Sequence, residues 1–527
     1  MEEPHLHTGT LTALMGSSGA GKTTLMDVLA SRKTEGEIHG EVLMNGEALP
    51  VSFQRTTGYC EQVDVHLPQA TVREALEFSA LLRQPRSLSD KEKLAYVDVI
   101  IDLLELHDIE DAIIGTPGAG LGVEQRKRLT IGVELVSKPK LWLISVVGEV
   151  DKLSEYFGKQ DVKIPKDVNP AERMIDIVSG DLSKGKDWAQ VWSDSEECKA
   201  RKDDLEKIKK EGQGNGERKH AEDDKYEYAS TTGAQLKLVT KRASIQLWRD
   251  TEYVTNKVAL HIGSALFNGF SFWMIGNKYA DLQNRIFTIF QFIFVAPGVI
   301  AQTQPKFIAN RDIFEAREKK AKLYSWQAFC FGEIVAEVPY LLVCALLYFA
   351  PWYPVVGFSF KPSVAGPVYL QMTLYEFLYT GIGQFVAAYA PNAVFAALVN
   401  PLLIGVYYLN PFNYLIGGLV SRIVWDVEVQ CAEQEFGIFD PPQGQTCSAY
   451  MMSFLSENPG YIDNPDATSQ CRYCPYSKGN EYLQTLNLGK KSDGWRDIAI
   501  TFLFVLSSYG FVFLLLKLRS KASKKAS

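Results

Sequence analysis

The sequence predicts two folds in one chain: an incomplete α/β domain built on a phosphate-binding loop, then an all-α polytopic membrane domain of about six helices. Three observations predict them. A glycine-rich motif ends in Lys-Thr-Thr at residues 16–24, the first 225 residues are rich in charge, and most of the chain from residue 258 onward is apolar. The 527 residues suffice for several domains. The net charge of −7 gives no reason to expect a nucleic acid partner.

The glycine-rich motif fits the pattern G-x-x-x-x-G-K-[ST] at Gly16, Ser17, Ser18, Gly19, Ala20, Gly21, Lys22, Thr23 and Thr24. An apolar run at residues 11–15 reads as a strand before it, and residues 25–32 have helical spacing after it. This order places backbone N–H groups around a phosphate. Lys22 is suited to the β- and γ-phosphates, and the Thr23 hydroxyl to Mg²⁺. A chance glycine-rich turn is the alternative, but both flanks favour a nucleotide site.

Two further stretches follow the motif. Residues 57–62 read as a strand ending at Gln62, whose side chain is suited to Mg²⁺ or to an attacking water, and Thr71 begins a helix beyond it. A second helix, running to about Val136, opens at Leu121, Gly122, Val123, Glu124 and Gln125.

The region between the two halves has two predicted parts. Residues 194–225 mix both charges around three spaced glycines and read as a solvated linker. From Gln235 to Arg249, apolar side chains share one helical face while lysines and arginines interleave. This pattern predicts an amphipathic helix at a membrane surface.

The membrane spans are predicted from charge-free runs. These are residues 258–276, 286–305, 338–360 and 498–516, each long enough to cross a hydrocarbon core of about 30 Å. Between Lys361 and Arg422, 60 residues carry Glu376 as their only charge, which leaves room for two more crossings. Six crossings put both termini on one side.

Basic residues support a cytoplasmic location for both termini. They cluster before the first span, between residues 306 and 322, and in the tail from Lys517. The start, residues 1–10, is polar, so we expect no signal peptide there.

The loop from about residue 422 to 497 then faces outward. It contains Cys431, Cys447, Cys471 and Cys474, which suggests two disulfides with three possible pairings. The Cys471-x-x-Cys474 spacing also resembles half of a zinc site, but the loop has no histidine.

Three carboxylates lie at or inside the predicted spans: Glu333, Glu337 and Glu376. They either form a substrate or coupling path or pair with polar groups between helices; the second interpretation is favoured.

The order of P-loop, glutamine loop and signature helix resembles ATP-binding cassette proteins. Over nearly its whole length, the chain resembles the second half of the fungal pleiotropic drug resistance (G-type) transporters. The stretches that carry this resemblance are residues 58–62, 123–132, 169–172 and 410–414. The resemblance implies a P-loop NTPase cassette, ATP and Mg²⁺ as cofactors, and export of hydrophobic compounds. It also implies nucleotide held between one cassette's P-loop and the other's signature.

The chain departs from a complete cassette transporter in four places. Little precedes the P-loop, and Gly122 stands where a working signature has serine. The strand at residues 141–144 runs into Ser-Val-Val-Gly instead of Asp-Glu, with Glu149 and Asp151 as poor substitutes, and no switch histidine follows. The fifth span is short near Gly405. Internal omissions near residues 144–147 and 405, by altered splicing or gene modelling, are the simplest account, with true divergence as the alternative.

These predictions give a domain plan: a truncated cassette at 1–190, a charged linker at 191–230, an amphipathic interfacial helix at 231–257, spans 1–5 at 258–421, an exofacial loop at 422–497, and a last span with a basic tail at 498–527. The first functional hypothesis is a plasma-membrane transporter half in the lipid bilayer, exporting amphipathic molecules with a second half. The alternative is a nucleotide-binding membrane protein that does not hydrolyse ATP.

Overall fold

The computed structural model describes residues 14, 19–33, 36–44, 46–144, 187–196, 198–199, 202–203, 206–208, 210, 222–399 and 410–525. The chain divides into two compact units. Unit 1 contains residues 1–235, 313–325 and 521–527, and unit 2 contains residues 236–312 and 326–520. The segment Ile313–Ser325 therefore belongs to unit 1, although in sequence it lies between helices of unit 2.

Unit 1 has mixed α/β structure. Its helices are α1 (Lys22–Leu29), α2 (Phe53–Thr56), α3 (Val72–Arg83), α4 (Asp90–Leu103), α5 (Val123–Leu135) and α6 (Trp188–Ser193). Its strands are β1 (Leu43–Met44), β2 (Glu47–Ala48), β3 (Thr57–Cys60), β4 (Gly115–Thr116), β5 (Ala119–Gly120) and β6 (Leu141–Ile144).

Strands β3 and β6 are parallel, with Thr57 opposite Leu141 and Cys60 opposite Ile144. The pairs β1–β2 and β4–β5 are short antiparallel hairpins. The strand predicted at 141–144 is therefore present, and the one predicted at 57–62 is present but ends at Cys60, two residues before Gln62. The strand predicted at residues 11–15 lies outside the described residues except Leu14.

Helices α3, α4 and α5 form the main core of unit 1. Apolar side chains such as Val72, Leu76, Ile100 and Leu129 are fully or almost fully buried between them. Thr71 caps α3 with a capping box in which Glu74 bonds back to the Thr71 amide. The predicted helix starts at Thr71 and near Leu121 are thus found in the structure.

The linker prediction was wrong at its carboxyl end. Residues Glu222–Lys225 form a 3-10 turn, and Asp224 accepts hydrogen bonds from Ser52 Oγ at 2.6 Å and Lys140 Nζ at 3.0 Å. Arg86 donates to the carbonyl of Ala229 at 2.6 Å. This stretch packs against the α/β unit because its charges find fixed partners there. The spaced glycines lie outside the described residues.

Unit 2 is helical. Its helices are α7 (Thr232–Arg249), α8 (Thr251–Ser271), α9 (Tyr279–Ile293), α10 (Val295–Ile313), α11 (Trp326–Val356), α12 (Pro362–Tyr389), α13 (Ala393–Val399), α14 (Pro411–Val424), α15 (Cys447–Glu457), α16 (Gly479–Thr485) and α17 (Asp493–Lys525). A π-helical turn at Phe314–Glu318 follows α10.

Three helical stretches in the described residues are long and apolar enough to cross a membrane: Tyr279–Glu318, Trp326–Val356 and Asp493–Ser520. Helices α8 and α12, with 21 and 28 residues, are long enough but carry more polar side chains. The count of six crossings remains a prediction, and the proposed short fifth span lies partly outside the described residues.

Two helix boundaries differ from the sequence-based prediction. The amphipathic helix α7 ends at Arg249, and the side chain of Asp250 caps α8 by accepting from the Tyr253 amide at 3.1 Å. Residues 251–257 therefore belong to the first long helix of unit 2. That helix ends at Ser271, whereas we predicted a span to residue 276.

The predicted exofacial loop has its own small fold. Strands β7 (Gly437–Phe439), β8 (Tyr461–Ile462) and β9 (Cys471–Cys474) form an antiparallel sheet in the order β7-β9-β8. Of the three possible pairings, the structure has Cys431–Cys474 and Cys447–Cys471. Both cysteines of the zinc-like spacing are thus in disulfides.

Candidate nucleotide-binding site

The P-loop enters α1 through two glycines in the left-handed region. Gly19 has φ +83° and Gly21 has φ +84°, conformations that other residues rarely adopt. Helix α1 begins at Lys22, so the amides of its first turn have no partner within the helix. Gly16, Ser17 and Ser18 lie outside the described residues.

The described part of the loop fits a bound nucleotide. A side chain built on Gly19 or Gly21 meets no atom of the described residues within 4 Å. Thr23 and Thr24 are exposed at the start of α1. Helix-terminal amides, a lysine and a hydroxyl are the donor set that holds phosphate with Mg²⁺.

Helix α1 is fixed against strand β3. The Tyr59 hydroxyl donates to Asp27 of α1 at 2.7 Å. The guanidinium of Arg32, just after α1, lies 4.6 Å from the Tyr59 ring centre and 3.7 Å from a Glu61 carboxylate oxygen. These contacts join the P-loop helix to the strand that leads into Gln62.

Residues 61–66, here called the glutamine loop, are held against helix α5. Lys127 Nζ donates to the backbone oxygens of Glu61 at 3.2 Å and Gln62 at 3.1 Å. It also forms an ion pair with Asp64 at 2.9 Å. The Gln62 side chain is exposed, which leaves it open for the predicted Mg²⁺ or water contact.

A chain of hydrogen bonds connects the glutamine loop to the 313–325 segment. Arg317 donates to the Val65 carbonyl at 2.8 Å and to His66 Nδ1 at 3.1 Å. Because guanidinium groups only donate, Nδ1 accepts and Nε2 carries the proton. Nε2 then donates to Thr130 Oγ1 at 2.8 Å, and Thr130 donates to Asp64 at 2.6 Å.

Burial, together with the charges of Arg317 and Arg126, lowers the pKa of His66 to about 3. His66 is therefore neutral near pH 7, as the hydrogen-bond chain requires. Sequence reasoning missed His66 and counted Arg317 only as one basic residue of a cytoplasmic loop. Neither residue has a local sequence signal, since their partners are more than 60 positions away.

The structure describes part of the β3–β6 sheet edge at which the Asp-Glu pair of a complete cassette was expected. Cys60 and Ile144 are opposite each other in parallel strands, so Glu61 follows at the edge where β6 ends. Burial raises the pKa of Glu61. Residues 145–186, including Glu149 and Asp151, lie outside the described residues.

The signature residues form the start of α5. Gln125 accepts a hydrogen bond from the Gly122 amide at 3.0 Å, and Glu124 pairs with Arg128 at 2.6 Å. Leu121 is buried, whereas Val123 is 83% exposed. The amino-terminal end of α5 therefore has an exposed surface. Its Glu124 and Gln125 side chains already have partners, in an ion pair and a hydrogen bond respectively.

No cluster of three or more His, Cys, Asp or Glu side chains suited to a metal occurs among the described residues. Thr23 and Gln62 thus remain the predicted Mg²⁺ ligands, beside the oxygens of a bound nucleotide.

Comparison with known proteins agrees with this geometry. The sequence model of the "ABC transporter" family matches residues 3–144, and that of the "ABC-2 type transporter" membrane domain matches residues 234–409. The chain belongs to the ABC transporter family. The P-loop, glutamine loop and signature helix described above all lie within the first match.

Fungal transporters are among the relatives of this ABC transporter chain. It is 51% identical to ABC multidrug transporter H of Aspergillus fumigatus, over 98% of this chain and 42% of the relative. It is 48% identical to ABC multidrug transporter G of the same fungus, over 98% and 44%. It is 36% identical to the brefeldin A resistance protein of Schizosaccharomyces pombe, over 97% and 40%.

The chain spans less than half the length of these relatives. The first alignment runs over 603 positions, more than the 527 residues of this chain, so the relative has residues without a counterpart here. The two family matches end at residues 144 and 409. These ends lie close to the two predicted omissions.

Proposed function

We propose that this chain is half of an exporter that couples ATP binding to the movement of hydrophobic or amphipathic small molecules. The observation that carries the proposal is the joining of three parts in unit 1. The P-loop helix, the glutamine loop and the signature helix share one hydrogen-bonded module, and the 313–325 segment is attached to it. The relatives named above include multidrug transporters, and this supports the substrate class.

In this proposal each site residue has a role. The amides around Gly19 and Gly21 and the Lys22 ammonium hold the phosphates of ATP. Thr23 and Gln62 contribute oxygens to Mg²⁺. The start of α5, at residues 121–125, faces the nucleotide of a second cassette.

The surroundings of the chain follow from the same proposal. Unit 2 lies in a lipid bilayer, and the plasma membrane is the proposed location. Both termini are cytoplasmic, and the disulfide-bonded loop at 422–497 faces outward. The partner is a second cassette and membrane half, and no nucleic acid is involved. A tag after Ser527 should be inaccessible on intact cells, and a tag in the loop accessible.

Photolabelling with an azido analogue of ATP tests the nucleotide site. The Lys22→Ala variant should lose most of the labelling, because it removes the charge that holds the β- and γ-phosphates. The matched control is Lys91→Ala, which removes an exposed lysine from α4. Equal labelling of the Lys22→Ala and unchanged chains would contradict the proposal.

A second candidate function is a nucleotide-binding membrane protein that does not hydrolyse ATP. The observation that favours it is the sequence after β6, where Ser145 stands in place of the expected Asp-Glu. Hydrolysis needs a Mg²⁺-holding carboxylate and a positioned water. Turnover equal to that of Lys22→Ala would support this candidate, whereas robust turnover dependent on Lys22 would exclude it.

A further inference from the structure

Helix α8 carries a line of buried polar side chains within unit 2. Tyr253, Lys257 and His261 are spaced four residues apart, so they lie above one another on one helical face. Their exposed fractions are 6%, 2% and 0%. Two glutamates from other helices pair with this line, Glu337 of α11 and Glu376 of α12.

The first pair is closed to proton exchange. Lys257 Nζ lies 2.7 Å from Glu337 Oε2, and the Tyr253 hydroxyl donates to Glu337 Oε1 at 2.5 Å. Both carboxylate oxygens accept a hydrogen bond, one of them from the Lys257 ammonium. Moving the proton from lysine to glutamate would sacrifice the ion pair, and the strong basicity of an amine opposes this transfer.

The second pair is built differently, because its base is a histidine. Nδ1 of His261 lies 2.6 Å from the Lys257 carbonyl, which only accepts, so Nδ1 carries a proton. Nε2 lies 3.2 Å from Glu376 Oε1 and 3.2 Å from the Tyr379 hydroxyl. The Tyr379 hydroxyl donates to the other carboxylate oxygen, Glu376 Oε2.

One proton is therefore shared between His261 Nε2 and Glu376 Oε1. On Nε2 it gives an imidazolium beside a carboxylate; on Oε1 it gives a neutral imidazole beside a carboxylic acid. The net charge of the pair is zero in both forms, so neither form leaves a lone charge in the interior. Histidine differs from lysine here because its ordinary pKa lies near neutrality.

We propose that His261 and Glu376 form a proton-binding site in the membrane domain, holding one exchangeable proton. When His261 and Glu376 separate, the proton stays on the Glu376 carboxyl, and the neutral imidazole keeps its Nδ1 hydrogen bond. No other reactant is needed, since the proton only changes its oxygen or nitrogen partner. Among the described residues, the other titratable groups that act on the pair are Cys344, Tyr375 and Tyr379, and the Lys257–Glu337 pair lies one helical turn away along α8.

This proposal goes beyond nucleotide-driven export and does not depend on it. Intramembrane carboxylates that bind protons are a recurring part of ion pathways. The structure supplies an internal comparison, because Glu337 and Glu376 are both buried but have partners of different basicity.

A hydrophobic carbodiimide tests the site, since it adds across a protonated carboxyl group buried in a membrane and leaves a stable acylurea. The full chain in detergent micelles is labelled and the modified peptides are identified by mass. We expect Glu376 to be labelled at least about tenfold more than Glu337. Above the pH at which the His261–Glu376 pair releases its proton, labelling of Glu376 should fall about tenfold per pH unit. Glu376→Gln should remove this label.

The variant His261→Gln distinguishes a proton site from a structural contact. Without a base beside it, the buried Glu376 carboxyl keeps the proton itself, so its labelling should rise and persist to higher pH. Glu337 in the same sample reports on folding, because in a misfolded chain both glutamates react. An infrared carbonyl band of a protonated carboxyl, absent from Glu376→Gln, is the second measurement.

Equal labelling of the two glutamates in the unchanged chain would overturn the proposal. So would labelling of Glu376 that does not change in His261→Gln, or an infrared band that survives in Glu376→Gln.

Discussion

His66 Nδ1 accepts a hydrogen bond from Arg317 Nη1 over 3.1 Å, although the two residues are 251 positions apart. The contact fixes the imidazole tautomer, and the other ring nitrogen then reaches Thr130 of α5. The glutamine loop is thus held from two sides, by α5 and by the 313–325 segment. The Gln62 backbone is thus connected to that segment through Lys127, Asp64, Thr130 and His66.

Replacing Arg317 with glutamine should loosen the glutamine loop. The change removes charged hydrogen bonds to the Val65 carbonyl and to His66, and such bonds contribute about 1.5–3 kcal/mol. Amide hydrogen exchange in residues 61–66 should accelerate by about tenfold or more. Lys322→Gln is the control, since it removes a charge of the same segment whose ion-pair partner is Glu227 rather than the glutamine loop. Unchanged exchange in Arg317→Gln would show that the contact contributes little.

Acidification should destabilise this part of unit 1 through His66. Its pKa is about 3 in the folded chain and about 6.5 when unfolded, so the unfolded state binds more protons between these values. The stabilisation is complete above about pH 6.5 and is lost as the pH falls towards 3, with about 2 kcal/mol lost at pH 5. Hydrogen exchange of α5 as a function of pH measures it. In His66→Gln, the stability measured by hydrogen exchange should depend less on pH between pH 5 and 7. Any pH dependence that remains would come from another titratable group.

Glu134→Gln should destabilise unit 1 strongly. The Glu134 carboxylate lies 2.8 Å from Arg83 Nη1, and the side chains are 3% and 0% exposed. Burial acts to raise the pKa of Glu134, but Arg83 and Arg32 outweigh it and hold the pKa below its usual value. Removing one partner of such a pair leaves a buried charge and costs about 3–5 kcal/mol.

The matched control for that variant is in the same helix. Glu124→Gln breaks an ion pair with Arg128 in which Glu124 is 77% exposed, so the cost should be far smaller than for Glu134→Gln. The urea dependence of hydrogen exchange in α3 and α5 compares the two variants. Equal midpoints would contradict the assignment of Glu134 as the buried partner.

Replacing Cys447 and Cys471 with serine should open the loop at residues 422–497. Their disulfide joins α15 to β9 across 24 positions, and a crosslink of this length contributes about 3 kcal/mol. Limited proteolysis of the full chain should then cleave between residues 447 and 471. Added reductant should increase proteolysis further, because it breaks the remaining Cys431–Cys474 disulfide, which joins residues 43 positions apart. Protease resistance equal to that of the unchanged chain would show that the sheet holds without this crosslink.

Local sequence patterns were enough to predict several parts of this protein. The P-loop pattern, the helix starts at Thr71 and Leu121, the strand at 141–144 and the long apolar runs all depend on neighbouring residues, through glycine conformation, capping and hydrophobic length. The four cysteines predicted two disulfides for the same reason, but left the pairing open.

Contacts between residues far apart in the chain could be seen only in the folded molecule. Nothing near Arg317 predicts that it reaches His66, nor anything near His261 that it faces Glu376. The register of β3 and β6 placed Glu61 beside the strand end that lacks Asp-Glu, and packing attached Asp224 to Ser52 and Lys140. Such pairs form because a buried polar group without a partner is energetically costly. The packing of the chain determines which partner lies within hydrogen-bond distance.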